Sequence, residues 1–357
     1  MKLLTRTAVT GVAVAALALA GCSTDTTNPT PSGTTNPYAD LAGSLVGTGA
    51  SFPDVYYQYA IDKFGELAPD LEIKYTKSGS GAGRKDFANN LNDFAGTDSL
   101  VKAGQADNPA ADAFLYVPTV AAPITVPFNV SGVTSLRLSP STLAKIFSTT
   151  ITTWNDAAIQ ADNPGVTLPA TPIVVVHRSD ASGTTNNFTG FLDKAAKQDW
   201  TLGRGDTVAW AASTQAGQGN AGVADAVKKT AGAIGYVDFA DALGAGLTLA
   251  AIKNKAGTFV APSVDGATAA VEGATVKDDL SYDPLNAEGE TAYPITAPTY
   301  LIVRPSYPAA KAAAIKGFLT WLLTDGQNLA ADKHYAKLPT SLRTKALANV
   351  NKIAVAG

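Results

Sequence analysis

Beyond residue 45 short apolar runs alternate with helix-like stretches, and this rhythm narrows the fold more than any other feature of the chain. Residues 45–48, 71–76 and 93–96 read as strands, and 53–67 and 83–91 as helices. Strands separated by helices tend to pair in parallel, so the pattern predicts an α/β fold with a largely parallel sheet. An apolar run at 113–130 carries Pro118, Pro123 and Pro127 and suits an edge or crossover, because proline has no N–H to give to a ladder. The first hinge is placed there. The rhythm then restarts with helices near 140–147 and 154–160, a strand at 172–177, a helix over 183–200 and a strand at 233–237. A second proline-marked run, 292–303, reads as another crossover and precedes a strongly helical C-terminus from 309 onward, expected to rejoin the first lobe. For 357 residues two lobes fit better than one core, since single cores rarely grow much beyond roughly 250 residues.

The N-terminus has a different character. Lys2 and Arg6 precede an uncharged run, residues 7–21, rich in Ala, Val and Leu, which reads as a signal peptide and is shorter than the roughly 20 residues of a permanent span. The single cysteine ends the string Leu19-Ala20-Gly21-Cys22, which resembles the bacterial lipoprotein box and implies a lipidated Cys22, diacylglyceryl- and palmitate-bearing, at the mature N-terminus. Residues 23–44, dominated by Thr, Ser, Asn and Pro, read as a disordered tether. Removing residues 1–21 leaves 25 basic against 30 acidic side chains. That balance argues against nucleic acid and requires any anion site to work through local donors.

Three strand–loop–helix junctions offer such donors. The first is Gly47-Thr48-Gly49-Ala50-Ser51-Phe52-Pro53-Asp54, where Ser51 and Asp54 fit a capping box and Pro53 suits the first helical turn. The second, Ser78-Gly79-Ser80-Gly81-Ala82-Gly83-Arg84-Lys85, lets backbone amides approach a ligand at a helix start, although it lacks nucleotide P-loop spacing. Arg84 and Lys85 are expected to be solvated. The third runs His177-Arg178-Ser179-Asp180-Ala181-Ser182-Gly183-Thr184-Thr185 and clusters a guanidinium, hydroxyls and helix amides, with Asp180 placed to orient Arg178. Asp98, at the end of the strand and turn 93–97, would repel an anion unless the guest carries a proton the carboxylate can accept. Phosphate keeps one at neutral pH and sulfate does not, which makes Asp98 a discriminator.

At these loops the chain resembles the phosphate-specific solute-binding protein of bacterial ABC transporters. The similarity covers nearly the whole chain after the tether and rests on GTGASFP, YTKSGSGAG, DFAGTD, TTWNDAAIQADNPGVTLP, HRSDASGTTNNFTGFL, GAIGYVDFA and AYPIT. It implies a two-lobed periplasmic-binding-protein fold of type II, each lobe a mostly parallel sheet flanked by helices, joined by a two-strand hinge. Lobe I would comprise 45–122 and 294–357, and lobe II 123–293. It further implies that Ser51, the amide of Phe52, Ser80, Asp98, Arg178, Ser182, Gly183 and Thr184 bind phosphate, with Asp180 bracing Arg178. Gly81 stands where the family often has a second serine. The partners implied are inorganic phosphate and the permease subunits of an ABC transporter, for a monomer held outside the cell by its lipid, without cofactor, metal or catalytic residue.

Two other readings compete. A surface phosphatase needs a metal cluster or an activated nucleophile, yet the chain has two histidines, His177 and His334, and no GxSxG elbow. His177 is expected to end its strand. A binding protein for another oxyanion, sulfate or molybdate, is the nearer rival, and Asp98 decides between them.

Overall fold

A computed structural model describes residues 36–102 and 104–357. The expected leader, Cys22 and the tether up to residue 35 lie outside the described residues. The end of the expected tether is packed rather than free: Tyr38 meets Phe64 edge-on at 5.2 Å, Leu41 leans on Gly317, and the first strand already begins at Gly43. Two apolar side chains in an otherwise polar string suffice to seat it, because each removes area from water at about 25 cal/mol per Å².

Two main sheets organise the described residues. The first has six strands in the order Val237–Asp238, Leu115–Thr125, Thr296–Val303, Phe94–Thr97, Gly43–Gly49, Leu71–Lys77. The second has five, in the order Thr248–Leu249, Pro127–Asn129, Ala233–Ile234, Val174–Arg178, Gln215–Gly217. Parallel pairing is confined to one half of each, around Gly43–Gly49 in the first and Val174–Arg178 in the second. The remaining pairs are antiparallel, because strands that cross between sheets arrive from the opposite end.

The proline-marked runs do not lie at an edge. Leu115–Thr125 and Thr296–Val303 pair with each other inside the six-stranded sheet, Pro298 opposite Ala121 and Pro123 opposite Thr296. Their outer partners are too short to demand the missing donors: Phe94–Thr97 reaches only Tyr300–Val303, and Val237–Asp238 reaches only Ile124 and Thr125. Proline costs a ladder bond only where a partner strand runs. Both runs do pass from one sheet towards the other, as Thr125 is followed by the second-sheet strand at Pro127. The expected strand at 233–237 divides at Tyr236, so that Ala233–Ile234 serves the second sheet and Val237–Asp238 adds a short strand beside the crossing in the first.

Local signals set the helix starts. Ser139 caps Pro140–Phe147 and Ser182 caps Gly183–Ala195, whose third-residue amide donates to the cap hydroxyl at 3.1 Å. The helix expected near 154 starts at Ala157, because Asp156 caps it and Trp154 is drawn into the core, its Nε1–H donating to the Gly232 carbonyl at 3.0 Å. An aromatic cluster of Phe64, Phe94, Phe318 and Trp321 packs the helix Ala309–Leu323 onto the first sheet. Phe147, Phe188 and Tyr236 fill the core beside the second. The parallel strands of both sheets point their carboxyl ends at one crevice, where open α/β sheets place ligands.

Candidate functional site

The strand Gly43–Gly49 runs into Ala50 and Ser51, and the helix behind it opens at Asp54 with Pro53 as its cap residue. Ser51 does not form the expected capping box. Its hydroxyl faces the other sheet's elements, where the backbone N–H and the Nδ2 of Asn220 each donate to it at 3.3 Å, and Asp54 pairs instead with Lys77 at 2.7 Å. Phe52 is buried, and its carbonyl accepts the Tyr335 hydroxyl at 2.6 Å, which fixes the peptide next to Ser51.

The second loop turns at Gly79, whose φ of 95° places it in the region glycine tolerates best. A Cβ there would lie 2.4 Å from Asp180 Oδ2, so the close approach of the second and third loops also requires glycine. The helix Ser80–Ala88 follows, and Gly81 N–H donates across to the Ala181 carbonyl at 3.0 Å. Ser80 Oγ lies 3.4 Å from Asp98 Oδ2 and accepts the Asp98 amide at 3.2 Å.

Arg178 is buried at the end of Val174–Arg178. Asp180 grips it in a fork, Nε to Oδ1 at 2.8 Å and Nη2 to Oδ2 at 2.5 Å, a bidentate geometry that fixes the guanidinium plane. Burial pushes the Asp180 carboxyl up, yet the hydrogen bonds and charge of Arg178 outweigh it and hold Asp180 below the usual carboxylate range. The remaining guanidinium nitrogen, Nη1, reaches Thr184 Oγ1 and Asn220 Oδ1, each at 3.3 Å. Gly183 sits where a Cβ would meet Ser80 Oγ at 2.5 Å and the Asp98 backbone N at 2.9 Å. The start of Gly183–Ala195 is thereby pressed against the loops of the first sheet.

Asp98 is 2% exposed. Its Oδ1 accepts the Thr299 hydroxyl at 2.7 Å, and its carbonyl accepts Asn187 Nδ2 at 2.6 Å. Burial raises its carboxyl from near 3.8 to about 7, against the opposing pull of Thr299, Arg178 and Ser80. A cavity of about 490 Å³, lined by Asp98, Asn187, Lys194, Arg204 and Tyr300 among others, opens beside it.

All eight expected ligand-facing positions and Asp180 therefore meet in the crevice. Two further expectations change, and one contributor is new. Arg84 is 6% exposed rather than solvated and pairs with Asp206, whereas Lys85 is exposed as expected. His177 lies within its strand, its ring stacked on Trp210 at 4.9 Å. A fourth helix start, Gly219–Lys229, contributes Asn220, which is fully buried and touches Ser51, Thr184 and Arg178. Its signal was the string Gly217-Gln218-Gly219-Asn220, hidden because the preceding strand, Gln215–Gly217, is three residues long and largely exposed. Thr299 gave no local sign, being 201 residues from Asp98.

A PBP superfamily domain model matches residues 28–326. Phosphate-binding protein PstS 3 of Mycobacterium leprae is 35% identical over 370 residues, covering 99% of this chain and 100% of that protein. The chain belongs to the PstS family of phosphate-binding proteins. A PstS from Methanocaldococcus jannaschii is 37% identical, over 86% of this chain and 85% of that protein. Among solved structures, a high affinity periplasmic phosphate-binding protein, PfluDING bound with phosphate, superposes with a TM-score of 0.70 at 25% identity, over 86% of this chain and 93% of that one. The PstS fold is the two-lobed, type II binding-protein architecture, and here its two lobes are built around the six-stranded and the five-stranded sheets.

Proposed function

We propose that this chain captures inorganic phosphate outside the cytoplasmic membrane and delivers it to the permease of an ABC importer. The name and phosphate ligand of its relatives support the substrate class, and the polarity of the site supports the reading atom by atom. One observation carries it. A hydroxyl has one proton and two lone pairs. Two donors fill the lone pairs of Ser51 Oγ, and two more fill those of Thr184 Oγ1. Each of these hydroxyls must then aim its proton at a further acceptor. Ser182 Oγ accepts the Thr185 amide and likewise keeps its proton to give. With Arg178 and the open amides of the helix start at Gly183 and Thr184, the crevice becomes a set of donors waiting for an anion.

Asp98 supplies the one acceptor. Ionised, it can take a hydrogen bond only from a guest that carries hydrogen, which favours hydrogen phosphate over sulfate or molybdate. Ser51, the Phe52 amide, Ser80 and Asp98 would hold the ligand from one side, and Arg178, Ser182, Gly183 and Thr184 from the other. Binding then favours the closed arrangement by the contacts that exist only there. We place lobe I at residues 45–122 and 294–357 and lobe II at 123–293, with the crossings near Thr125 and Ile295 as the hinge. The relatives described above are phosphate-binding proteins and lend no support to a surface phosphatase.

Calorimetric titration of the chain begun after Cys22, with phosphate, arsenate, sulfate and molybdate, tests the reading. Phosphate binding at least about 100-fold tighter than sulfate is expected; equal affinities would overturn it. We also assign a monomeric form tethered through lipid on Cys22. Cys22→Ala is expected to move the protein from the membrane fraction to the medium and to abolish palmitate labelling.

A further inference from the structure

Of the ion pairs among the described residues, Arg84–Asp206 is the one that joins a helix beside the six-stranded sheet to the loop between Gly183–Ala195 and Gln215–Gly217, beside the five-stranded sheet. Arg84 projects from the helix Ser80–Ala88. On its own side it meets neutral acceptors: Asn108 Oδ1 at 2.8 Å from Nε, Thr97 Oγ1 at 2.9 Å and Ser99 Oγ at 2.7 Å from Nη1. Its Nη2 donates across the crevice to the Asp206 carboxylate. Asp206 is held in turn by Asn186 Nδ2 at 2.8 Å, and its carbonyl accepts the Ser182 amide at 3.0 Å. The pair is thus tied to the anion-facing groups at both ends, since Arg84 bonds Thr97, the residue before Asp98, and the Asp206 carbonyl accepts the amide of Ser182.

We infer that Arg84 and Asp206 form a closure latch, a positioning pair that touches no phosphate but sets how long the closed form retains it. The inference rests on the reading above, in which two lobes close over the anion. When the lobes part, both charges regain water, and Arg84 keeps its three neutral acceptors. When they close, each charge is largely removed from solvent and the other is its compensation. Losing one partner therefore penalises the closed form and leaves the open form nearly untouched. Because phosphate meets the open form before the latch is made, the effect falls on escape rather than capture. The side chains of Arg84 and Asp206 touch none of the donors that face the ligand, so their contribution can be separated from direct binding.

The test uses the mature chain with inorganic phosphate, followed by stopped-flow and calorimetry, for the wild type, Arg84→Ala, Asp206→Asn and the double variant. The carboxamide of Asp206→Asn retains an acceptor for Asn186, which guards against a local collapse. Each single variant is expected to weaken phosphate binding about 10- to 100-fold, nearly all of it as faster dissociation, with association within about threefold of wild type. The double variant should bind no more weakly than the worse single one, and Arg84→Asp with Asp206→Arg should recover part of the loss. Melting in phosphate-free buffer should stay close to wild type, which a merely structural role would not predict. Unchanged dissociation rates, or losses that add fully in the double variant, overturn the latch. A wild type that takes up no phosphate overturns the proposed function itself, and with it a latch that needs closure over an anion.

Discussion

Replacing Asp98 by Asn separates what this carboxylate costs the empty protein from what it contributes to selectivity. Asp98 is buried, and its carboxyl titrates near 7 rather than near 3.8. A folded-state value above the unfolded one means that the native protein binds the proton more tightly. No penalty exists below about pH 4, where both states are protonated; it grows as pH rises through the interval and is complete above about pH 7. A shift of about three pKa units corresponds to about 4 kcal/mol of lost stability at pH 8. The carboxamide carries no charge at any of these pH values and can still accept from Thr299, so Asp98→Asn should lack this penalty. Differential scanning calorimetry in phosphate-free buffer from pH 4 to 8.5 should show the variant close to wild type at the acid end, with a melting advantage that grows towards the alkaline end. Phosphate binding should weaken by roughly 1.5–3 kcal/mol, the worth of a hydrogen bond to a charged acceptor, while sulfate should bind measurably once the opposing charge is gone. A melting profile parallel to wild type across that range would refute the burial argument. Continued exclusion of sulfate would refute the discriminator.

Three further outcomes follow from the same geometry. Arg178→Ala removes a fork already oriented by Asp180 and should cost at least about 2 kcal/mol of phosphate affinity by calorimetry, roughly 30-fold. Asn220→Ala frees lone pairs on both Ser51 and Thr184, allowing their protons to turn away from the ligand; a loss of about 5- to 20-fold is expected, with little change in the melting temperature of the empty chain. Gly79→Ala places a methyl against Asp180 at a φ of 95°, so the second and third loops must separate, and small-angle scattering with saturating phosphate should show incomplete compaction.

Several of these residues were legible along the chain because their roles are local. The alternation of strands with helices and the Gly/Ser/Thr loops that open helices are decided by a few neighbouring residues, whose backbone preferences act over one or two turns of chain, whereas the capping box read at Ser51 gave way to a distant contact with Asn220. The three donor loops could therefore be found one by one, and so could the odd carboxylate at Asp98. The proline-marked runs do cross between the sheets as read, yet Pro118, Pro123 and Pro298 sit inside the six-stranded sheet rather than at an edge, since the cost of a missing donor depends on whether a partner strand reaches that position. Arg84 looked like a solvated helix residue because its acceptors come from residues 97, 99, 108 and 206.

The α/β rhythm, the donor-rich helix starts and the odd carboxylate at Asp98 are readable along the chain, all consequences of short-range backbone and side-chain chemistry. Three-dimensional packing is what brings Thr299 to Asp98, Asn220 to Ser51 and Thr184, and Arg84 to Asp206. Those meetings span up to 201 residues and arise from the order of strands in two sheets facing one crevice, which no local stretch of chain encodes.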